Sequence, residues 1–151
     1  MNALSDTDII NICAKLNLPL NGVYPKDILP KELKQGFYII NLVDHRNTEC
    51  GHWTILYYSP IPNSCPHLYF DSFGFVSPKA IEEKLLPSYI YNEQQIQDER
   101  SSACGFFCIA FIHFLHLNPS KQAFKAFCKL FSKQVSQNDK ILKQFCLQSG
   151  V

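Results

Sequence analysis

The stretch CGFFCIAFIHFLHL, residues 104–117, limits the fold of this chain more than any other. It has the length of a helix, it ends before Asn118 and Pro119, and it is apolar on nearly every side. A surface helix keeps one polar face, so a helix of this kind must be covered by other elements all round. The stretch therefore predicts a central buried helix in a domain with a substantial core.

Three short runs rich in β-branched and aromatic residues precede this helix. They are FYIINLV at residues 37–43, WTILYY at residues 53–58 and HLYF at residues 67–70, with polar, glycine-containing or proline-containing turns between them. Runs of this composition bounded by turn residues predict β-strands. We expect these three strands to form the sheet of the domain.

Further helices are predicted on either side of the strands. They span residues 5–17, 77–86, 120–134 and 138–147. In the first, Ser5 or Asp6 is the expected cap, and in the second Ser77 is the cap and Pro78 takes the first helical position. The order of helix, strands and then helices indicates an α+β class.

Composition and charge restrict the domain count and the partners. The chain has 151 residues, of which 46% are hydrophobic and 18% charged, as is typical of a compact globular protein. No repeat, low-complexity stretch or long linker divides it, so we expect a single domain over residues 1–151. The net charge of +1 excludes a general attraction to nucleic acid or anionic membrane, and such binding would need a local patch.

The N-terminal sequence MNALSDTDIINICAKLNL is acidic and polar, unlike the basic and then apolar start of a secretory signal. No apolar run approaches the roughly 20 residues that a membrane span needs. We therefore expect an intracellular protein that is not secreted and has no membrane partner. Its seven cysteines are then expected to be mostly reduced.

Cys104 lies where the apolar helix begins, in the sequence SSACGFFC. A helix N-terminus lowers the pKa of a thiol, and its free N–H groups can stabilise an oxyanion. Gly105 would let a substrate carbonyl approach without a side chain in the way. Taken alone, a cysteine in this position is more often a packed core residue.

Other polar residues supply what a cysteine nucleophile needs. His52 directly precedes the strand 53–58, and Asp71 directly follows the strand 67–70. Strand ends at one edge of a sheet can bring a histidine and an aspartate together, with the carboxylate orienting the imidazole. Gln97, seven residues before Cys104, is within reach as an oxyanion donor. The set predicts nucleophilic catalysis.

The strings GHW, YFDSFGF and QDERSSACGFFC together resemble the adenain-like cysteine proteases of the ubiquitin-like-protein protease superfamily, including those of Polinton or Maverick elements, adintoviruses and virophages. The resemblance extends upstream to NGVYPKDILP and YIINLVDHRNTECGHW, and covers roughly residues 5–119. It implies a papain-like fold in the chain order His, Asp, Cys, with a central mixed β-sheet flanked by helices.

The resemblance also implies a role for each matching residue. Cys104 would be the nucleophile, His52 the general base and acid, and Asp71 the orienting carboxylate. Gln97 and the N–H of Cys104 would form the oxyanion hole, and Trp53 would pack beside the histidine and shield it from water. Adenain commonly has glutamate at the third position, whereas many of its relatives have aspartate, as here.

The function implied is that of a cysteine endopeptidase that cleaves viral capsid and core precursor proteins during virion maturation, after small residues such as glycine. Such an enzyme would work as a monomer in the host nucleus or virus factory and be packaged in the virion. The sequence itself requires no cofactor, and DNA or a viral peptide are the candidate activators. Between Asp71 and Cys104 the chain has no cysteine, so the disulfide that holds adenain's activating peptide has no counterpart there.

A candidate basic surface lies near the C-terminus. Lys121, Lys125, Lys129 and Lys133 recur every four residues. A helix over residues 120–134 would place them in a stripe opposite its phenylalanines. A solvated helix face is the simpler interpretation, and contact with DNA or an acidic partner is the alternative.

Two other functions are compatible with these residues. An isopeptidase that removes ubiquitin or a ubiquitin-like modifier would use the same Cys104 site. A non-catalytic or zinc-binding module is the third hypothesis, since Cys50, His52, Cys65 and His67 form two Cys-x-His pairs. Structural zinc sites usually separate paired ligands by two or more residues, so we predict no metal site.

Overall fold

One five-stranded sheet organises the protein, as seen in a computed structural model that describes residues 1–47, 51–60 and 65–151. The strands, in sheet order, are β1 (Gly22–Pro25), β2 (Gly36–Asn41), β3 (Trp53–Tyr58), β4 (His67–Phe70) and β5 (Tyr89–Tyr91). The pairs β2–β3 and β3–β4 are antiparallel, whereas β1 is parallel to β2 and β5 is parallel to β4. The sheet is therefore mixed.

Helices surround this sheet. Within the described residues they are α1 (Asp6–Lys15), α2 (Lys79–Leu85), α3 (Cys104–Leu115), α4 (Lys121–Lys129) and α5 (Asn138–Ser149), with short 3-10 helices at Lys26–Ile28 and Val135–Gln137. None of the helices in this part of the chain is long and apolar enough to cross a membrane. The predicted α+β class is confirmed.

Helix α3 lies at the centre of the main core. Nine of its twelve residues are buried. The ring of Phe111 contacts Phe37 and Phe70 of the sheet and Phe124 and Phe127 of α4, with centroid distances between 5.3 and 6.2 Å. The predicted buried helix is confirmed, although it ends at Leu115 and not at residue 117.

The sheet is covered on both faces because successive side chains of a strand point to opposite sides. In β2, Phe37 and Ile39 belong to the large cluster around α3. Tyr38 and Ile40 belong to a smaller cluster that includes buried side chains of α2. The predicted arrangement of a mixed sheet flanked by helices is thus confirmed.

The two edge strands were not expected from the sequence. Strand β1 has the sequence GVYP and β5 has the sequence YIY, and neither shows an alternating apolar pattern long enough to predict a strand. Each is held by parallel pairing to the strand beside it. That pairing joins segments distant in sequence, so no local pattern reports it.

The helix predicted over residues 120–134 is shorter than expected. It ends at Lys129, and Lys133 lies beyond it. The buried side chain of Asn138 holds the following turn: its Oδ1 accepts the N–H of Ser132 at 2.7 Å, and its Nδ2 donates to the carbonyls of Ser132 and Ile96, both at 2.8 Å. These long-range bonds stabilise the turn in place of further helix.

The start of α2 also differs from the prediction. Pro78 is the residue before the helix and not its first helical residue, and Ser77 supplies no side-chain cap. The hydroxyl of Ser77 donates instead to the carbonyl of Pro78 at 3.2 Å. The helix begins at Lys79, one residue after the predicted Pro78.

Candidate active site

Two adjacent strands bring His52 and Asp71 to one edge of the sheet. His52 directly precedes β3, and Asp71 directly follows β4. Because these strands are antiparallel, with Ile55 opposite Phe70, the start of β3 and the end of β4 meet at the same edge. Cys104, the first residue of α3, lies close enough to His52 for the imidazole to lower the pKa of its thiol. The structure thus brings together the three residues that the sequence singled out.

The imidazole of His52 is held by a carboxylate. Its Nε2 lies 2.6 Å from Oδ1 of Asp71, and Asp71 is only 1% exposed. The same oxygen accepts the backbone N–H of Phe73 at 2.8 Å. A buried carboxylate with a fixed second donor has little freedom to turn, so it fixes the imidazole. Nδ1 is left as the ring nitrogen that can exchange a proton with the Cys104 thiol.

Asn92 fixes the main chain of Asp71. Its Oδ1 accepts the N–H of Asp71 at 3.1 Å, and its Nδ2 donates to the carbonyl of Asp71 at 2.5 Å. Asn92 directly follows β5, which is one of the strands that sequence patterns did not predict. Its contribution was therefore missed together with the strand that positions it.

Phe73 holds the plane of the histidine ring. The two rings are stacked, with centroids 4.4 Å apart and planes 24° from parallel. Phe73 lies in the string YFDSFGF, but its contact with His52 was not expected, since the resemblance to adenain-like proteases implied Trp53 as the neighbour of the histidine. Stacking and the Asp71 hydrogen bond together leave the imidazole one favoured orientation.

Cys104 has a lowered pKa. Burial alone would raise the pKa of this thiol, which is 7% exposed. The hydrogen bond with His52, the backbone N–H of Trp53, the charge of the imidazolium and the backbone N–H of Gly105 outweigh burial and bring the pKa below its ordinary value. The site is built to hold a thiolate.

The pKa of His52 moves in the opposite direction. Burial works to lower it, but hydrogen bonds to Asp71 and Cys104 and the negative charge on both partners raise it to about 9. A raised imidazole pKa beside a lowered thiol pKa favours a thiolate–imidazolium pair at neutral pH.

The other thiols behave differently. Of the six cysteines that the structure describes, all are free, and Cys104 is the one whose pKa is lowered. Burial raises the pKa of Cys13, Cys65, Cys108, Cys128 and Cys146. Among these six thiols, only Cys104 has the lowered pKa that a cysteine nucleophile needs.

Gln97 is buried and tied to the chain that leads into α3. It is 1% exposed, its Oε1 accepts the hydroxyl of Ser72 at 2.5 Å, and its Nε2 donates to the carbonyl of Ser101 at 2.8 Å. The hydroxyl of Ser101 accepts the N–H of Ala103 at 3.1 Å and donates to Asp139 at 2.8 Å. In this structure the Gln97 amide is hydrogen-bonded to Ser101 in the segment that precedes Cys104. Its role as an oxyanion donor stays a prediction.

Trp53 and Gly105 contact the N-terminal segment. The indole Nε1 of Trp53 donates to the carbonyl of Leu4 at 2.8 Å. A Cβ on Gly105 would lie 3.1 Å from side-chain carbons of Leu4. The side chain of Leu4 thus occupies the space beside the Cα of Gly105. From the sequence, this space was expected to admit a substrate carbonyl.

The predicted basic stripe is shorter than four lysines. Lys121, Lys125 and Lys129 are exposed on α4, opposite the buried Phe124 and Phe127. The fourth member, Lys133, is exposed beyond the end of the helix. Within the described residues none of the four forms an ion pair.

Among the described residues, no three histidine, cysteine, aspartate or glutamate side chains are grouped so that they could hold a metal ion. Cys50, one of the residues in the zinc hypothesis, lies outside the described residues. His67 belongs to the second Cys-x-His pair, and its Nδ1 accepts the N–H of Ser59 at 2.9 Å while its ring stacks on Tyr58.

No protein-family model matches the sequence, and no curated protein matches it significantly.

Proposed function

We propose that this protein is a cysteine endopeptidase in which Cys104 is the nucleophile, His52 the general base and acid, and Asp71 the residue that orients the imidazole. One observation supports this above all others. Asp71 holds the imidazole of His52 by a hydrogen bond of 2.6 Å, and the interaction between His52 and Cys104 lowers the pKa of the thiol while the pKa of the imidazole is raised to about 9. This is the arrangement that activates a cysteine for acyl transfer.

In the first half of the proposed reaction, the Cys104 thiolate attacks the carbonyl carbon of the scissile amide. A C–S bond forms as the carbonyl π electrons move to oxygen. The N–H of Cys104 can stabilise this oxyanion, because N–H groups in the first helical turn have no intrahelical acceptor. The C–N bond then breaks, the His52 imidazolium gives its proton to the departing amine, and a thioester remains.

Hydrolysis of the thioester completes the cycle. Neutral His52 takes a proton from water as the water oxygen attacks the acyl carbon. The C–S bond breaks, the carboxylic acid product leaves, and the thiolate–imidazolium pair is restored. Asp71 orients the imidazole and stabilises the imidazolium whenever it forms.

The substrate follows from the resemblance to adenain-like proteases. We propose a papain-like arrangement in the chain order His, Asp, Cys, and virion precursor proteins cut after small residues such as glycine as the substrates. The location implied is the host nucleus or virus factory and then the virion. DNA is the candidate activator that the exposed lysines of α4 could contact.

The proposed pair predicts a bell-shaped pH dependence of kcat/KM for glycine-containing peptides. Activity should rise as Cys104 ionises, with the acid limb below the ordinary thiol range because its pKa is lowered. It should fall at about pH 9 as His52 loses its proton and can no longer serve as the acid. Peptide hydrolysis followed by chromatography tests this. Activity that rises steadily through the alkaline range would contradict the ion pair.

A ubiquitin-like modifier carrying a C-terminal vinyl sulfone separates the isopeptidase alternative from a virion protease. The proposal predicts that Cys104 reacts with iodoacetamide but not with the modifier probe. Rapid labelling of Cys104 by the modifier probe would favour the isopeptidase. The control is the Cys104→Ala variant, which should take up neither reagent at this position.

Gln97→Ala should lower kcat by roughly 10²-fold if the amide serves as an oxyanion donor during turnover. The matched control is Ser72→Ala, which removes the partner of Gln97 Oε1 but keeps the donor Nε2. Steady-state kinetics and a thermal melt of both variants make the comparison. Equal losses of kcat in the two variants, in step with their melting temperatures, would assign Gln97 to structure alone.

A further inference from the structure

The segment before α1 is held in a fixed direction. The hydroxyl of Ser5 accepts the N–H of Asp8 at 3.1 Å, and the Asp8 carboxylate accepts the N–H of Ser5 at 2.9 Å. This reciprocal capping box confirms Ser5 as the cap and sets the angle at which the chain enters the helix. Leu4, the preceding residue, is thereby directed onto the main core, against which it is partly buried.

Leu4 joins two elements of the site. Its carbonyl accepts the indole N–H of Trp53, at the start of β3, at 2.8 Å. Its side chain fills the space beside Gly105, in the first turn of α3. One residue thus contacts both the strand that follows His52 and the helix that begins with Cys104.

The two residues that Leu4 contacts are also those whose main-chain N–H groups lower the pKa of the Cys104 thiol. The peptide group before Trp53 is held on its other side as well, since the carbonyl of His52 accepts the N–H of Leu42 at 2.9 Å. Anchoring the indole therefore limits rotation of the peptide whose N–H helps to lower the pKa of Cys104. Packing against Gly105 limits movement of the second donor.

We propose that Leu4 is a positioning residue of the active site, which holds the backbone N–H groups of Trp53 and Gly105 toward the Cys104 thiolate. The inference rests on the proposed function, because it requires that Cys104 reacts as a thiolate. Leu4 itself carries out no chemical step in this role. It acts through the two donors it packs against.

The test is the pH dependence of iodoacetamide labelling of Cys104 in the full chain carrying Leu4→Gly. Glycine keeps the carbonyl that accepts the Trp53 indole N–H but lacks the side chain that packs beside Gly105. The Gly105 N–H is then less firmly held, so the labelling midpoint should move to higher pH by roughly one unit. Near neutral-to-acid pH this corresponds to roughly 10-fold slower labelling. Trp53→Phe, which removes the indole donor, should shift the midpoint in the same direction.

Ile12→Ala is the matched control, because Ile12 lies on α1 and is also partly buried against the main core. It should lower the melting temperature without moving the labelling midpoint. A Leu4→Gly profile that superimposes on the wild type, or an equal shift in Ile12→Ala, would overturn the role of Leu4. Wild-type labelling of Cys104 no faster than that of the other thiols would instead overturn the proposed function, and the inference with it.

Discussion

Replacing Cys104 with alanine is expected to abolish peptide hydrolysis, a loss of roughly 10⁴-fold or more, while the fold stays intact. The substitution removes the sulfur that would form the acyl-enzyme, so no thioester can be made. It deletes one atom from a 7% exposed position at the start of a helix, where alanine is well tolerated. Peptide turnover and a circular-dichroism melt measure the two effects separately.

Cys146→Ala is the matched control for this variant. Cys146 is a buried thiol of α5 whose pKa is raised by burial to about 11. We expect its loss to leave kcat unchanged, whatever it does to the melting temperature. Turnover that survives in Cys104→Ala would mean that another group performs the chemistry.

Asp71→Asn is expected to lower kcat by roughly 10⁴-fold with little change in structure. Asparagine keeps the shape of the side chain and can still accept the N–H of Phe73 and contact His52. It lacks the charge that stabilises the imidazolium, so the pKa of His52 should fall and the thiolate–imidazolium pair should weaken. Steady-state kinetics over a range of pH should show both changes.

The control for charge is Asp98→Asn, which removes a carboxylate that pairs with the exposed Arg100 at 3.1 Å. Its loss should change kcat less than threefold or so, because exposed pairs contribute little. If Asp71→Asn also retained nearly full activity, Asp71 would be a structural partner of His52 and not part of the catalytic unit.

Much of this architecture could be predicted because it rests on local patterns. The strands 53–58 and 67–70 were predicted with the bounds that the structure gives to β3 and β4. Both are buried runs of β-forming residues, bounded by turns. The buried helix that begins at Cys104 was likewise evident from its apolar character. These three elements suffice to bring His52, Asp71 and Cys104 together.

What the sequence could not predict depends on contacts between distant segments. Asn92 holds Asp71 from the end of an edge strand only three residues long, and Leu4 holds Trp53 across 49 positions of the chain. The groups of Trp53 and Gly105 that lower the pKa of Cys104 are backbone N–H groups, which no residue type reveals. A sequence pattern reports side-chain chemistry and local periodicity. Long-range contacts and the positions of backbone groups appear in neither.

The most direct test of the central claim is the rate of iodoacetamide labelling at Cys104 between about pH 4 and about pH 9, with the labelled site mapped by mass spectrometry and His52→Ala as the comparison. The proposed thiolate–imidazolium pair predicts fast labelling of Cys104 well below the ordinary thiol range, and slower labelling at the same pH in His52→Ala. Labelling of Cys104 at the rate of the other thiols, unchanged by His52→Ala, would contradict it.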